Sequence, residues 1–299
     1  MEKKRAPKKK SMQGWAIRRF EDHMKRSPTE AERIEIEKAV KRGVTKNQVE
    51  KALETFRPML PKGLINLGNT CYMNSALQLL MTCPQFVNNT RFDTFVRRMD
   101  PKLPRNWVAK EYPQFRNWAQ HDSHEWLLAL LDVCKDKLFE GEFTVDVQFD
   151  GCGHTNTHQE PFVTISLPIV GTTMASAMEH FFQEPEEVFS TCDTCKDHVK
   201  KKALKFMSIS KVPTYLIVHW KRFDKRGNKI KTRMATPFHL FNKVISGTVN
   251  HAGSLHAGHY TACVRHGSQW RYISDSQLME IEERHAMKSS EVAYMVVYQ

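Results

Sequence analysis

Apolar residues recur at helical spacing in the first half of the chain. This spacing predicts helices over residues 74–81 and 124–138. Two shorter helices are predicted earlier, one ending near residue 40 and one over residues 45–56. The first of these begins at the segment "SPTE", residues 27–30, which has a capping serine, a proline at the first helical position and a glutamate three residues after the serine.

The period of the apolar positions changes to two after residue 142. Phe143, Val145, Val147 and Phe149 alternate with polar residues, which predicts a strand. Further strands are predicted over residues 163–167, 204–209, 214–220, 259–264 and 293–298, with one helix over 175–182. Helices early in the chain and strands late indicate an α+β fold.

Positive charge is concentrated at the N-terminus. The net charge of the 299 residues is +12, and residues 1–60 hold 17 Lys+Arg against 9 Asp+Glu, which is +8 of that total. We therefore predict a basic flexible arm over residues 1–26, a helical lead-in over 27–62 and a main domain over 63–299. The arm contains "KKRAPKKK", which is a nuclear import signal, a patch for acidic surfaces or a solvated tail; these alternatives stay open.

Cysteine content and hydropathy indicate the compartment. Seven cysteines are an odd number at low density, which favours a reducing compartment with thiol or metal roles over a disulfide framework. No apolar run approaches the roughly 18 to 20 residues of a membrane helix, and no apolar region follows the basic start. We expect an intracellular protein, nuclear and/or cytoplasmic, that does not span a membrane.

The stretch "GLINLGNTCYMNSALQLL", residues 63–80, places Cys71 after a turn rich in Gly and Asn and before a helix. A helix N-terminus stabilises a thiolate, so we expect a lowered pKa for this thiol. A nucleophilic cysteine needs a base, and "HAGSLHAGHYTACV" offers His259 at the start of a predicted strand. About a dozen residues later, "WRYISDSQ" supplies Ser274 and Asp275, either of which can orient an imidazole.

These stretches resemble motifs of the ubiquitin-specific protease family. "GLINLGNTCYMNSALQLL" is similar to its cysteine box and "HAGSLHAGHYTACV" to its histidine box. "QHDSHEWLLALLD", "YLIVHWKRFD" and "AYMVVYQ" resemble three further family segments and occur in the family's order. The resemblance spans residues 63–299. It implies a papain-like cysteine peptidase fold with thumb, palm and β-fingers, and a thiol-dependent deubiquitinase that acts on ubiquitin and ubiquitinated proteins without a catalytic cofactor.

Roles for individual residues follow from this resemblance. It assigns Cys71 as the nucleophile, His259 as the general base and Asn66 as a side-chain donor to the oxyanion. At the third catalytic position the family usually has Asp or Asn, whereas this chain has Ser274 followed by Asp275. We hypothesise that Ser274 contacts the imidazole ring and that Asp275 supports the site.

The resemblance also implies contacts with the ubiquitin tail, which bears arginines and ends in two glycines. Asp122 and Glu125 lie in the segment that meets this tail in the family, where opposite charge would position the arginines. Acidic residues are also favoured at any helix N-terminus, and both interpretations are kept. Gly258 suits close approach of a backbone, and Tyr260 is expected in the wall of the cleft.

Family members often bind a structural zinc ion with two Cys-x-x-Cys pairs at the finger tips. The second pair is present here as Cys192 and Cys195, whereas the first is reduced to Cys152 because Phe149 stands where its partner would be. His154 is the candidate for the missing ligand, with His158 as the fallback. The alternative is a decayed site whose thiols only pack.

Three other functions are compatible with parts of this sequence. A catalytically weak or inactive ubiquitin-binding scaffold is supported mainly by Ser274, and a protease for a ubiquitin-like modifier would use the same chemistry. Nucleic-acid binding rests on the basic arm alone and would be non-specific, since no nucleic-acid motif accompanies it.

Overall fold

The computed structural model describes residues 12–24, 30–55, 62–196, 198–255 and 257–299. The chain divides into two compact units, Met1–Leu60 and Pro61–Gln299. None of the described helices is long and apolar enough to cross a membrane.

The first unit contains helices α1 (Met12–Met24), α2 (Glu30–Lys41) and α3 (Lys46–Thr55). The predicted helices α2 and α3 are confirmed, whereas α1 occupies residues for which we predicted a flexible arm. That prediction was wrong for Met12–Met24 because this segment has an apolar side: Ala16 and Phe20 are buried. Arg19 also forms a 3.1 Å ion pair with Glu50 of α3. The sequence "KKRAPKKK" and the serine of "SPTE" lie outside the described residues.

The second unit begins with helices and continues with strands. Its helices are α4 (Cys71–Leu80), α5 (Pro84–Val87), α6 (Thr90–Arg98), α7 (Lys102–Glu111), α8 (Ser123–Cys134), α9 (Met174–Gln183) and α10 (Glu283–Ser290), with a 3-10 turn at Pro113–Arg116. Its strands are β1 (Gly141–Phe149), β2 (Thr155–Phe162), β3 (Thr164–Pro168), β4 (Glu186–Thr191), β5 (Lys200–Lys211), β6 (Leu216–Lys221), β7 (His239–Leu240), β8 (Lys243–Gly253), β9 (Gly258–His266), β10 (Gln269–Ser274), β11 (Gln277–Ile281) and β12 (Ala293–Tyr298).

The strands form two sheets. A four-stranded antiparallel sheet has the order β2-β1-β5-β4. The larger sheet has the order β11-β10-β9-β8-β12-β6-β3, and β7 pairs with β8 beside this path. All of its pairs are antiparallel except β3 with β6. The predicted α+β fold is confirmed, and the helices, the larger sheet and the smaller sheet correspond to the thumb, palm and fingers that the resemblance implies.

Helix α4 is buried along its whole length and packs against β8 and β9. A helix surrounded on all sides needs apolar residues around its circumference, which explains the run "ALQLL". On the helical side of the unit, α4 and α8 are accompanied by fully buried aromatic side chains, among them Phe86, Phe92 and Trp126. The nucleophile candidate thus stands at the end of a rigid element.

Several elements differ from the sequence-based expectations. Helix α8 ends at Cys134, four residues earlier than predicted, because Lys135 takes the left-handed conformation with φ of 50° and caps it. Strands β2 and β4 were not predicted. Both β2 and β4 are outer strands of the smaller sheet with mostly exposed residues, so they lack an apolar alternation. Helices α5 to α7 and strands β8, β10 and β11 were also not predicted.

Candidate active site

The loop before α4 is shaped by one asparagine. The Oδ1 atom of Asn66 accepts hydrogen bonds from the backbone N–H groups of Gly68, at 2.9 Å, and Thr70, at 3.0 Å. Gly68 and Asn69 have φ angles of 100° and 55°, which favour the glycine and asparagine found there. The Gly/Asn-rich turn therefore turns the chain sharply and delivers Cys71 to the first position of α4.

Cys71 is 4% exposed. Burial raises the pKa of its thiol, a hydrogen bond from the backbone N–H of Tyr260 lowers it, and the negative charge of Asp275 raises it. The net shift is upward, so our expectation of a lowered pKa was wrong: desolvation outweighs the stabilisation that the helix start provides. The group that rests in the site is the protonated thiol.

His259 lies on β9, the strand that packs against α4. Its Nε2 atom is 2.8 Å from the hydroxyl oxygen of Ser274 at the end of β10. Because the hydroxyl occupies Nε2, Nδ1 is the ring nitrogen that is available to a thiol. The structure thus brings together Cys71, His259 and Ser274, from α4, β9 and β10, and contains the expected contact between Ser274 and the ring.

Asp275 adopts a φ of 49° and turns its carboxylate away from the imidazole. One oxygen accepts from the Asn66 amide at 2.9 Å and the other from the Asn74 amide at 2.7 Å. Asp275 therefore joins the loop before Cys71 to the end of β10. The amide that the resemblance assigns to the oxyanion is bound to Asp275 here, and its catalytic role stays a prediction. Asn74 was not predicted from the sequence.

Asp122 caps α8 and also reaches across the cleft. One carboxylate oxygen accepts from the backbone N–H groups of His124 and Glu125, at 2.8 and 2.9 Å. The other accepts from the hydroxyls of Tyr260, at 3.3 Å, and Tyr294. Burial, with the charge of Asp122, raises the pKa of both tyrosines, so they remain donors. The capping interpretation of Asp122 is confirmed. Tyr260 is buried against Asp122, and its place in the wall of the cleft stays a prediction.

Glu125, the second acidic candidate, is exposed one turn into α8. Partial burial and the neighbouring charge of Asp122 raise the pKa of its carboxyl. Two carboxylates at the start of α8 give this end of the cleft a negative charge, which suits a basic peptide.

Gly258 lies where the loop before β9 meets the segment before α8. Its N–H donates to the Gln120 side chain at 3.0 Å. A Cβ atom added at this position would be 2.6 Å from the backbone carbonyl oxygen of Ala252 and 2.1 Å from Nε2 of His251, so glycine is required here. Gln120, to which the sequence assigned no role, connects the two sides of the cleft.

At the tips of the smaller sheet, Cys152, His154, Cys192 and Cys195 place their ligand atoms within 4.8 Å of one another. The Cys152 and Cys192 sulfurs are 3.8 Å apart, and Nδ1 of His154 is 3.6 Å from Cys192 and 3.5 Å from Cys195. Tetrahedral zinc with its usual bond lengths requires about 3.8 Å between two sulfurs and about 3.6 Å between sulfur and nitrogen. The four atoms therefore fit a zinc ion.

The surroundings of this cluster explain its ligand set. Phe149, at the position of the absent cysteine, is buried in the core between the sheets and takes no part. His158, the fallback ligand, instead contacts Glu160 at 3.0 Å. Asn156 donates to the Thr191 carbonyl at 3.0 Å and accepts from the Asp193 N–H at 3.2 Å, which aligns the two ligand-bearing turns. The structure favours His154 as the fourth ligand.

The remaining cysteines, Cys83, Cys134 and Cys263, are buried and free. Burial raises the pKa of each of these thiols, as it does for Cys71. Cys71 differs from them in its position at the start of α4, which packs against the strand that carries His259. A buried thiol beside an imidazole that is oriented by a hydroxyl, at the mouth of a cleft with acidic residues, is an arrangement for acyl transfer from a basic peptide.

Comparison with known proteins agrees with this chemistry. A family model described as ubiquitin carboxyl-terminal hydrolase matches residues 62–298. Ubiquitin carboxyl-terminal hydrolase 23 of Arabidopsis thaliana is 27% identical over 313 residues, covering 82% of this chain and 36% of the relative. Probable ubiquitin carboxyl-terminal hydrolase 8 of Schizosaccharomyces pombe is 25% identical over 311 residues, covering 82% and 68%. This chain thus spans little more than a third of the plant relative.

Solved structures share the fold. A chain of the SAGA Ubp8/Sgf11/Sus1/Sgf73 DUB module bound to ubiquitin aldehyde superposes with a TM-score of 0.69 at 20% identity, covering 88% of this chain and 75% of that one. A chain of the same module bound to monoubiquitin gives 0.67 at 21% identity, covering 82% and 70%.

Proposed function

Because this chain belongs to the ubiquitin carboxyl-terminal hydrolase family, we propose that it is a cysteine-type deubiquitinase that hydrolyses the isopeptide bond at the C-terminal glycine of ubiquitin. The observation that carries the proposal is the 2.8 Å contact between Nε2 of His259 and the Ser274 hydroxyl, on two strands that pack against the helix beginning at Cys71. Two acidic residues at the start of α8 supply the complement to the basic ubiquitin tail.

In the first step His259 removes the proton of the Cys71 thiol as the sulfur attacks the glycine carbonyl. Burial raises the pKa of the thiol, which favours its protonated form, so we place this proton transfer together with the attack. Ser274 accepts the N–H of the resulting imidazolium and holds the ring in place. When the tetrahedral intermediate collapses, the C–N bond breaks and His259 returns the proton to the departing lysine amine.

In the second step water attacks the thioester. His259 takes a proton from the water, the C–S bond breaks, and the proton returns to the Cys71 sulfur as free ubiquitin leaves. Donors at the loop before α4 would stabilise both oxyanions, and the Asn66 amide is the candidate once it exchanges its bond to Asp275 for the oxyanion.

We further propose that Cys152, His154, Cys192 and Cys195 hold a structural zinc ion. Zinc would crosslink the turn after β1 to the turn after β4 and so fix the outer strands of the smaller sheet. It would supply no chemistry to Cys71, which lies on a different element.

The proposed function is tested with ubiquitin that carries an electrophile at its C-terminus, followed by intact-mass analysis. We expect one adduct per wild-type chain and no adduct with Cys71→Ala. The matched control is Cys134→Ala, which removes another buried thiol and should still form the adduct. The ubiquitin assignment is contradicted if folded wild-type protein forms no adduct with the ubiquitin probe, whether or not a ubiquitin-like probe reacts.

A non-catalytic ubiquitin-binding scaffold is the second candidate, and the serine at the third catalytic position is the observation that favours it. An intracellular location, nuclear and/or cytoplasmic, stays a prediction from the composition.

A further inference from the structure

Trp118 is an exposed tryptophan held next to the candidate nucleophile. Its side chain is 54% exposed, yet its backbone carbonyl accepts a hydrogen bond from the Asn69 amide at 2.9 Å. Asn69 lies two residues before Cys71. The tryptophan therefore stands at the rim of the cleft, in the segment between the 3-10 turn and α8, and it has no role in the catalytic steps described above.

An arginine of α7 braces this side chain. The guanidinium carbon of Arg105 lies 3.7 Å from the centre of the Trp118 ring, and its Nη2 atom donates to the carbonyls of Arg116 and Asn117, at 2.9 and 3.2 Å. Such a stack is a cation–π contact and fixes the ring without burying it. An exposed aromatic side chain that is already immobilised loses little entropy on binding.

The segment that carries this stack is positively charged. Residues 102–121 contain four Lys+Arg, namely Lys102, Arg105, Lys110 and Arg116, against the single acidic residue Glu111. The start of α8, in contrast, presents Asp122 and Glu125. Along the chain, positive charge therefore precedes Gln120 and negative charge follows it.

The two products of the proposed reaction are attached to opposite ends of the scissile bond, so they lie on opposite sides of Cys71. The arginine-bearing ubiquitin tail is attracted to the carboxylates of Asp122 and Glu125 and repelled by Arg105. We propose that the Arg105–Trp118 stack binds the other product: an acidic segment of the polypeptide whose lysine carries ubiquitin. This inference rests on the proposed function and adds a specificity determinant to it.

The test compares three substrates. Ubiquitin–aminomethylcoumarin has a small neutral leaving group without acidic residues. The other two are ubiquitin joined through an isopeptide bond to a peptide lysine flanked by Asp and Glu, or by Ser. We expect wild type to prefer the acidic peptide, and Trp118→Ala and Arg105→Gln to lower kcat/KM for it by about tenfold or more. Both variants should retain coumarin hydrolysis within about twofold.

Matched controls separate this role from a structural one. Trp118→Ala keeps the backbone carbonyl that Asn69 binds, and Trp118→Phe keeps an aromatic face and should retain most of the preference. Phe241→Ala removes another exposed aromatic side chain, 43% exposed, which lies just before the start of β8. Arg284→Gln removes an exposed cation of α10. Neither control should change the ratio between acidic and serine peptides.

Three outcomes overturn the inference. An equal loss on all substrates would assign Trp118 to the ubiquitin tail or the thiol loop, and an unchanged ratio in Trp118→Ala would show that the stack is not used. A wild-type enzyme that hydrolyses the coumarin substrate without preferring acidic peptides would contradict this inference alone. Failure of wild type on all three substrates would instead contradict the proposed function.

Discussion

At the scale of single residues, the third catalytic position is occupied by a neutral acceptor. The Ser274 hydroxyl meets His259 at 2.8 Å, and a hydrogen bond to a charged ring contributes about 1.5 to 3 kcal/mol. We expect Ser274→Ala to lower kcat for ubiquitin–aminomethylcoumarin by about tenfold. Steady-state kinetics at pH 7.5 measures this, and Ser276→Ala, a nearby serine without a contact to His259, is the control.

Asp275 should respond differently because it contacts amides rather than the imidazole. Its negative charge raises the pKa of Cys71, so Asp275→Asn should lower that pKa and increase the thiolate fraction. Alkylation of Cys71 by iodoacetamide at pH 8 would then be faster than in wild type, although turnover falls because the ties to Asn66 and Asn74 weaken. Slower alkylation in Asp275→Asn, or full turnover in Ser274→Ala, would contradict the assignment of Ser274 to the imidazole and of Asp275 to the support of the site.

The role of a single residue could be predicted where its type and position together suggest a chemical role. Cys71 and His259 became candidates as a thiol at a helix start and a histidine at a strand start, and the family resemblance then assigned their roles. Asn74 could not be predicted, because the sequence does not show what a side-chain amide within an apolar helix binds. Its partner, Asp275, is 201 residues away along the chain. Burial also reversed the expected direction of the Cys71 pKa, since desolvation is a property of the packed site and not of the local sequence.

At the scale of elements, the finger tips depend on one histidine among three cysteines. We expect wild type to contain one zinc ion per chain and His154→Ala to lose most of it, with a lower melting temperature. His154→Cys restores a ligand and should recover the metal, whereas His158→Ala should retain it. Metal analysis by mass spectrometry decides this, and equal zinc content in wild type and His154→Ala would contradict the assignment.

The elements that were predicted are those with one buried face. Strand β1 alternates buried and partly exposed positions along its length and was recognised from that alternation. Strands β2 and β4 are mostly exposed and are held by hydrogen bonds to β1 and β5, and such pairing leaves no pattern in their own residues. The positions of β2 and β4 are set by their pairing with β1 and β5 and by the adjoining turns that bear the metal ligands.

At the scale of the whole molecule, two buried histidines make stability depend on pH. Burial lowers the pKa of His219 to about 2 and of His266 to about 4. The unfolded chain binds protons at these sites below about pH 6.5 while the folded chain does not, so stability is lost as pH falls from there towards each folded pKa. The loss is up to about 1.4 kcal/mol per pH unit for each histidine.

This dependence is measurable as the difference in urea-unfolding free energy between pH 7.5 and 5.5. Replacing one buried histidine, as in His266→Gln, should reduce the difference, whereas His239→Gln, at an exposed position, should leave it unchanged. An equal pH dependence in His266→Gln and wild type would show that other groups control the acid lability.

The position of β12 has a consequence for biosynthesis. This strand lies between β8 and β6, and it joins the strands that carry His259 and Ser274 to the rest of the larger sheet. A ribosome makes Cys71 more than two hundred residues before it reaches this strand. The nascent polypeptide can therefore assemble its helices early, but it cannot close the sheet that presents the histidine until Ala293–Tyr298 has emerged. The connection between the strands that carry His259 and Ser274 and strands β6 and β3 thus depends on a segment made after all of these strands.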